Sequence, residues 1–314
     1  MMYAIGVDLG GTKTAAGVVS SAGEVLFSET IPTLNRDGGA AILAATADLI
    51  RGLVRRVADA GIAVGRVGIG SAGVIDAANG TVVAATDAIL GWAGTHLTAG
   101  LAAHLDLPPE AVRAVNDVHA HAMGEAWLGA AAGSDSALMV AFGTGVGGSF
   151  VLAGTPVLGH RYVGGHVGHI ASPYAYHDGA ALPCVCGHAG HVEAIASGPA
   201  IFETFLRFGG SRDVPDTRAV FSLAHDGDTA AIKAIGIGAG AAGQAVGGLI
   251  NILDPATVVV SGGLADGGDP WWRPMERALR AELLAPLADV PVLRASLGNT
   301  AAMVGAAKLV LNQH

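Results

Sequence analysis

Cysteine is nearly missing from this chain: two residues in 314, Cys184 and Cys186. That excludes a disulfide framework, and a single Cys-x-Cys pair points instead to a reducing compartment and metal binding. Aromatic residues make up 5% of the chain, while 48 positions are glycine, so packing relies on close approach of backbones rather than on large ring anchors. Charge is also scarce, at 14% of residues, and the balance is acidic, with 17 Lys and Arg against 26 Asp and Glu. Without a basic block, nucleic acid and anionic membrane are poor partners. No basic segment precedes the first strand-like run, so we expect no signal peptide and a cytoplasmic location. One uncharged run, Ile235–Leu253, has the length to span a bilayer. Its glycines, with Gln244 and Asn251, favour a buried and tightly packed helix instead. With 51% hydrophobic residues the chain can build a sizeable core, as one large domain or two ordinary ones.

The order of segments reads as α/β. Tyr3–Asp8 is an apolar run that ends in Asp8-Leu9-Gly10-Gly11-Thr12-Lys13-Thr14. Ala15–Ser20 is apolar again, Ser21-Ala22-Gly23 is a turn, and Glu24–Ile31 reads as a third strand. Glycines at such a turn let backbone N–H groups approach an anion, and Asp8 at the strand end suits a hydrated magnesium ion. An ordinary glycine-rich turn fits the same residues, and the Walker spacing is absent. Ala40–Ala60 has helical spacing, Val67–Gly73 reads as a strand, Asn79-Gly80 as a turn before Thr81–Ala85, and Leu97–Leu105 as a helix. Val112–Val115 is a strand that stops at Asn116-Asp117, before a helix over about Val118–Leu128. A carboxylate at the C-terminal end of a strand suits a catalytic base. It equally suits a helix cap, and the two readings are compatible.

The first pattern then recurs. Ser136–Phe142 is apolar, Gly143-Thr144-Gly145-Val146-Gly147-Gly148 is a glycine turn, and Ser149–Leu152 is apolar. A turn at Ala153-Gly154 leads to Pro156-Val157-Leu158. A repeat of strand, Gly-Thr turn, strand says more than either copy alone. It resembles the fold shared by actin and hexokinase, where two phosphate-binding turns hold ATP. The rest is mostly helical: Ala200–Phe208, Ala219–His225, Ala230–Leu253, Met275–Leu284 and Thr300–Leu311, with strands at Val258–Ser261 and Val292–Ala295. Gly262-Gly263 after the first of these strands is a third place where backbone can meet a ligand.

Between these parts lies the densest group of soft ligands. Gly164-Gly165-His166-Val167-Gly168-His169 is followed by Cys184-Val185-Cys186-Gly187-His188-Ala189-Gly190-His191-Val192-Glu193. Two thiols and an imidazole in one loop, with His169 upstream, match four-coordinate structural zinc. Two incidental buried thiols beside polar histidines would give the same sequence. Glu193 follows directly on this loop.

In this order and spacing, over essentially the whole chain, the motifs resemble the ROK family (repressors, open reading frames and sugar kinases). Asp8-x-Gly10-Gly11-Thr12-Lys13 is similar to its first phosphate motif. Asn116-Asp117 is similar to the pair that carries the catalytic base. Gly143-Thr144-Gly145 is similar to the second phosphate motif, and Val258–Gly263, ending in Gly262-Gly263, to the adenosine motif. The family's Gly-Glu-x-Gly-His and Cys-x-Cys-Gly-x-x-Gly-Cys-x-Glu patterns match Gly165–His169 and Cys184–Glu193, with two departures. His191 stands where the family has a third cysteine, which implies zinc held by His169, Cys184, Cys186 and His191, with His188 a competitor. His166 stands where glucokinases of the family have a sugar-binding glutamate, and this resembles bacterial N-acetylmannosamine kinases. Imidazole offers one donor and one acceptor to an N-acetyl group. The Ser71-Ala72-Gly73 turn and Thr86-Asp87 also depart from the usual sugar loop.

The resemblance implies an actin/hexokinase-like, ribonuclease H-like α/β fold of two domains with duplicated mixed sheets and flanking helices. It places a small domain at residues 1–116 plus 300–314, and a large one at 117–299 with the zinc loop and dimerisation helices. It implies ATP and Mg2+ as cofactors, structural Zn2+, a sugar substrate, and a homodimer or tetramer. Asp117 would be the base for the 6-hydroxyl of a hexose, with N-acetylmannosamine favoured over glucose or fructose. Gly73, Asn116, Asp117, His166, His169 and Glu193 would hold the sugar. The family's repressors carry a DNA-binding segment before the first phosphate motif, and with Asp8 so near the start we expect none here.

Overall fold

Val and Ile alternate with small residues in the first segments, a pattern that suits strands covered on both faces. The computed structural model describes residues 1–86 and 88–311, so Asp87 lies outside the described residues. In chain order the elements are β1 (Tyr3–Leu9), β2 (Lys13–Ser20), β3 (Val25–Pro32), α1 (Gly39–Ala58), β4 (Val67–Ser71), β5 (Val74–Asp76), β6 (Thr81–Ala84), α2 (Leu97–Leu105), β7 (Val112–Asn116) and α3 (Asp117–Leu128). Then follow β8 (Ser136–Phe142), β9 (Val146–Leu152), β10 (Thr155–Pro156), β11 (Tyr176–His177), β12 (Ala180–Ala181), α4 (Glu193–Ala196), α5 (Gly198–Arg207), α6 (Thr217–His225), α7 (Thr229–Leu253), β13 (Thr257–Ser261), α8 (Asp269–Glu282), β14 (Val292–Arg294) and α9 (Ala301–Leu311).

The two large sheets have one strand permutation. The first runs β3-β2-β1-β4-β7 and the second β10-β9-β8-β13-β14. In the first, β1 and β2 are antiparallel, while β1, β4 and β7 are mutually parallel. In the second, β8, β13 and β14 are parallel in the matching positions. The expected duplication is therefore present in topology as well as in sequence.

The chain divides into two compact units, one of residues 1–133, 151–164 and 296–314, the other of 134–150 and 165–295. Our sequence boundary at Asn116/Asp117 falls between β7 and α3. The structure keeps α3 with the first unit because it packs along α9. That contact is backbone-close: a Cβ on Gly124 would lie 2.1 Å from the carbonyl oxygen of Ala301, and one on Gly305 1.8 Å from that of Ala120. The core of the first unit centres on Ile5, Val7, Leu53, Ile69, Trp92 and Leu101. Glu125 of α3 is also buried, and its carboxylate accepts the N–H groups of Ala130, Ser296 and Leu297, which pins the segment leading into α9. In the second unit α7 runs through the core, packed on α8 and α5. By length and composition α7 could cross a membrane, but 56% of its most apolar window is buried inside the unit.

Some boundaries move. α8 begins at Asp269, six residues before our expected Met275, and contains Pro274. Pro270 sits in the first turn, where the N–H groups have no intrahelical acceptor, whereas Pro274, the sixth residue of α8, gives up the bond that an N–H there would make to the Pro270 carbonyl. β9 begins at Val146, so the second glycine turn is shorter than its sequence suggested.

Candidate active site and metal loop

In the first unit the Asn116-Asp117 pair joins β7 to α3. Asn116 is the N-cap, and its Oδ1 accepts the Val118 N–H at 2.9 Å. Cap and functional readings thus coexist in one residue. The Asn116 Nδ2 donates both to Asp117 Oδ1 at 2.8 Å and to the Gly73 carbonyl at 2.9 Å. The Val118 N–H also reaches Asp117 Oδ1, at 2.9 Å. One carboxylate oxygen is therefore fixed by two donors at the helix N-terminus. Gly73 has φ +97°, and a Cβ there would lie 2.7 Å from the Ala84 oxygen. The buried Trp92 steadies the same loop by donating its Nε1–H to the Ala72 carbonyl at 3.0 Å.

Asp8 is the penultimate residue of β1 in the same unit. Burial chiefly, then the like charge of Asp117, pushes its pKa up from 3.8 to about 6, while Lys13 pulls it down. Two carboxylates that raise each other's cost of ionisation form a site that a divalent cation would relieve. The adjoining turn is closed by the Gly10 N–H bonding the Lys13 carbonyl at 3.0 Å. From β3 and beyond, Thr33 donates its hydroxyl to the Gly10 carbonyl at 2.8 Å, and Asn35 donates its amide to the Gly11 carbonyl at 2.8 Å. With these carbonyls held back, Thr12 and Lys13 stand exposed at the tip. Sequence reasoning missed Thr33 and Asn35, since a short polar stretch after a strand carries no distinctive signal.

In the second unit the turn Gly143-Thr144-Gly145 follows β8, with Thr144 and Gly145 exposed. The Gly143 N–H bonds the Gly145 carbonyl at 2.9 Å. Gly262, φ +91°, follows β13 against this turn's base: a Cβ would lie 2.3 Å from the Phe142 oxygen, so only glycine fits. Gly263 beside it is exposed.

The metal loop belongs to the same unit. Cys184, Cys186, His169 and His191 place one ligand atom each within 4.8 Å of all the others. Cys184 Sγ lies 3.6 Å from His169 Nδ1, and Cys186 Sγ lies 3.3 Å from His191 Nδ1. A tetrahedron with ordinary Zn–S and Zn–N bond lengths has a sulfur–nitrogen edge of about 3.6 Å, so the residues fit zinc. The turn is set by backbone: the Cys184 N–H bonds the His188 carbonyl at 2.8 Å, and Gly187 takes φ +87°. His188 is exposed and lies outside the four, with its ring 6.1 Å from that of His191. Burial first, then the charges of His166 and His191, lowers the His169 pKa against an upward pull from Glu193, which favours the neutral imidazole that a metal needs. His166 is exposed, and its ring stacks near that of His169 with centroids 6.1 Å apart.

Glu193 opens α4 directly after this loop. Its Oε2 accepts the Val146 N–H at 2.7 Å, a contact that sequence reasoning did not anticipate. The expected residues thus fall into groups within each unit: Asp8, Gly73, Asn116 and Asp117 with the first turn in one; His166, His169, Cys184, Cys186, His191 and Glu193 with the second turn in the other.

Comparison with known proteins places these features. Residues 4–313 match the model described as "ROK family". A glucokinase of Halalkalibacterium halodurans is 32% identical over 98% of this chain and 95% of its own. An N-acetyl-D-glucosamine kinase of Escherichia coli is 31% identical over 98% of both. The crystal structure of a ROK family glucokinase from Streptomyces griseus in complex with glucose and AMPPNP matches 98% of each chain with a TM-score of 0.80 and 30% identity.

Proposed function

The chain belongs to the ROK family of sugar kinases, and from that premise we propose that it transfers the γ-phosphoryl group of ATP to the 6-hydroxyl of an N-acylmannosamine, with N-acetylmannosamine the preferred substrate. The observation that carries the kinase reading is Asp117, a carboxylate at a strand end with one oxygen fixed by Asn116 and Val118. Such a group is built to accept one proton from one direction. It would take the proton of the 6-hydroxyl as that oxygen attacks phosphorus, with ADP leaving.

The chain's other residues bind and orient. The turns Gly10–Lys13 and Gly143–Gly145, closed by the Gly10 and Gly143 N–H groups, would receive phosphate oxygens through their remaining N–H groups, and Gly262 and Gly263 the adenosine side. Asn116, Gly73, His166, His169 and Glu193 would hold sugar hydroxyls and the N-acyl group. Magnesium, when bound, neutralises charge on the transferred phosphate, and Asp8 would hold it through its hydration shell. Zinc would stiffen the loop that carries His169 and leads into Glu193.

The N-acyl preference rests on His166, an exposed imidazole next to His169. A neutral ring gives both a donor and an acceptor, where glutamate gives acceptors only. Glucokinase is the second reading, favoured by the glucokinase relative at 32% identity. A dimer is supported by exposed Ile252 and Leu284, adjacent through Asn251, whose Oδ1 accepts the Leu284 N–H at 3.0 Å.

Asp117→Asn tests the base directly. It keeps the size and the bond to Asn116's neighbourhood, so sugar affinity by calorimetry should stay within a few-fold. Turnover should fall by roughly two to four decades. Near-normal turnover would remove Asp117 from the chemistry.

A further inference from the structure

The second glycine turn does not stand alone. Glu193 Oε2 accepts the Val146 N–H at 2.7 Å. A Cβ on Gly145 would lie 2.9 Å from that same oxygen. The Gly198 N–H, one turn further along, bonds the Gly143 carbonyl at 2.7 Å. From the other side of the loop, the Gly148 N–H bonds the Gly165 carbonyl at 2.8 Å. Gly168 packs so closely that a Cβ would lie 2.4 Å from the Val146 oxygen. All these residues lie in one unit. The segment carrying His166, His169 and Glu193 is therefore fastened to the turn at both ends, and Glu193 makes its part of the fastening with a side chain that can also meet a ligand.

We propose that Glu193 is a positioning residue for the nucleotide turn as well as a sugar ligand, so that occupancy of the sugar site is felt at the phosphate site through one carboxylate. The claim rests on reading Gly143–Gly145 as a phosphate turn. One oxygen fixes the Val146 N–H and with it the direction of the preceding peptides. A sugar hydroxyl that bonds the carboxylate restrains the same group and holds the turn in its binding form. Glu193 acts here as an acceptor rather than as a charge, because an anion beside a phosphate turn is electrostatically unfavourable. Coupling of this kind is reciprocal: what the sugar does for the nucleotide, the nucleotide does for the sugar.

The test uses full-length, zinc-loaded protein with Mg·AMPPNP and no sugar, titrated by calorimetry. Glu193→Ala leaves the Val146 N–H without its acceptor, and Kd should rise roughly tenfold. Glu193→Gln keeps an acceptor oxygen and sheds the charge, so Kd should stay within about threefold of wild type or tighten. A residue that only bound sugar would leave both values at wild type. An alanine variant within twofold of wild type overturns the proposal, as does equal weakening by alanine and glutamine. If the wild type binds no nucleotide, the kinase reading falls and the proposal with it, which is distinguishable from a wild type that binds and an alanine variant that matches it. The reverse arm covers a Glu193→Ala protein that fails to fold. Gly145→Ala pushes a methyl against the carboxylate, and N-acetylmannosamine affinity measured without nucleotide should weaken about fivefold. Unchanged affinity there contradicts the coupling.

Discussion

The two glycine turns occupy the same place in two sheets of one strand permutation, yet they are held by different means. The turn after β1 is braced locally: Thr33 and Asn35, some twenty residues on, draw in the carbonyls of Gly10 and Gly11. Its partner carboxylates, Asp8 near the end of β1 and Asp117 just after β7, lie in the same unit, with β4 between their strands. The turn after β8 is braced from a distance, by Gly165, Glu193 and Gly198. Its rigidity is therefore borrowed from the loop that gathers His169, Cys184, Cys186 and His191, whose order would depend on the proposed zinc. Duplication conserved the strand order, while each copy acquired its own support. It follows that disturbing the metal loop should reach one turn and spare the other, and that disturbing the buried carboxylates should do the reverse.

The largest effect should come from metal removal. Protein prepared under chelation should show amide exchange faster by about tenfold or more across residues 165–198 and at Val146, because the loop's order is linked to ligand binding. Residues 3–33 should exchange within about twofold of the zinc-loaded protein. Equal acceleration in both regions would erase the contrast.

Next in size is Asp8. Its folded pKa of about 6 lies above the unfolded 3.8, so folding favours the neutral acid. Stability from this group is full below the unfolded value and is lost as pH rises through the folded one. Asp8→Asn removes the ionised form, and without magnesium or nucleotide should add about 2 kcal/mol more stability at pH 7.5 than at pH 4.5. Chemical denaturation at the two pH values measures this, and an equal gain at both would mean the carboxylate is not held neutral. The smallest effect is that of Thr33→Val, which leaves the Gly10 carbonyl and the Thr14 hydroxyl without their partner at a cost of about 1 kcal/mol. KM for ATP should rise by a few-fold while zinc content stays unchanged, and a loss of zinc would contradict the separation of the two braces.

Much of this was legible in order and spacing. The turn Asp8–Lys13 ends β1 where glycines follow an apolar run, and Asn116-Asp117 ends β7 before a helix. The gathering of His169, Cys184, Cys186 and His191 was readable because thiols and imidazoles so spaced have few other uses. What stayed hidden depends on contacts far apart in sequence. Glu125 reads as an ordinary helix residue, yet it is buried and holds Ser296 and Leu297, some 170 residues away. Glu193 reads as a sugar ligand, and nothing in its neighbours announces that its oxygen meets Val146. Pro274 hid the true start of α8, since a proline reads as a stop and here lies inside the helix.

The central claim is transfer of phosphate from ATP to an N-acylated hexose, chosen by His166. The most direct measurement is ADP release, coupled to an indicator reaction, over N-acetylmannosamine, N-acetylglucosamine, glucose, mannose and fructose, with wild type and His166→Glu side by side. We predict the highest kcat/KM for N-acetylmannosamine in the wild type and a shift toward glucose in the variant. Release with no sugar in the panel, or a wild type that prefers glucose and a variant with the same profile, would contradict it.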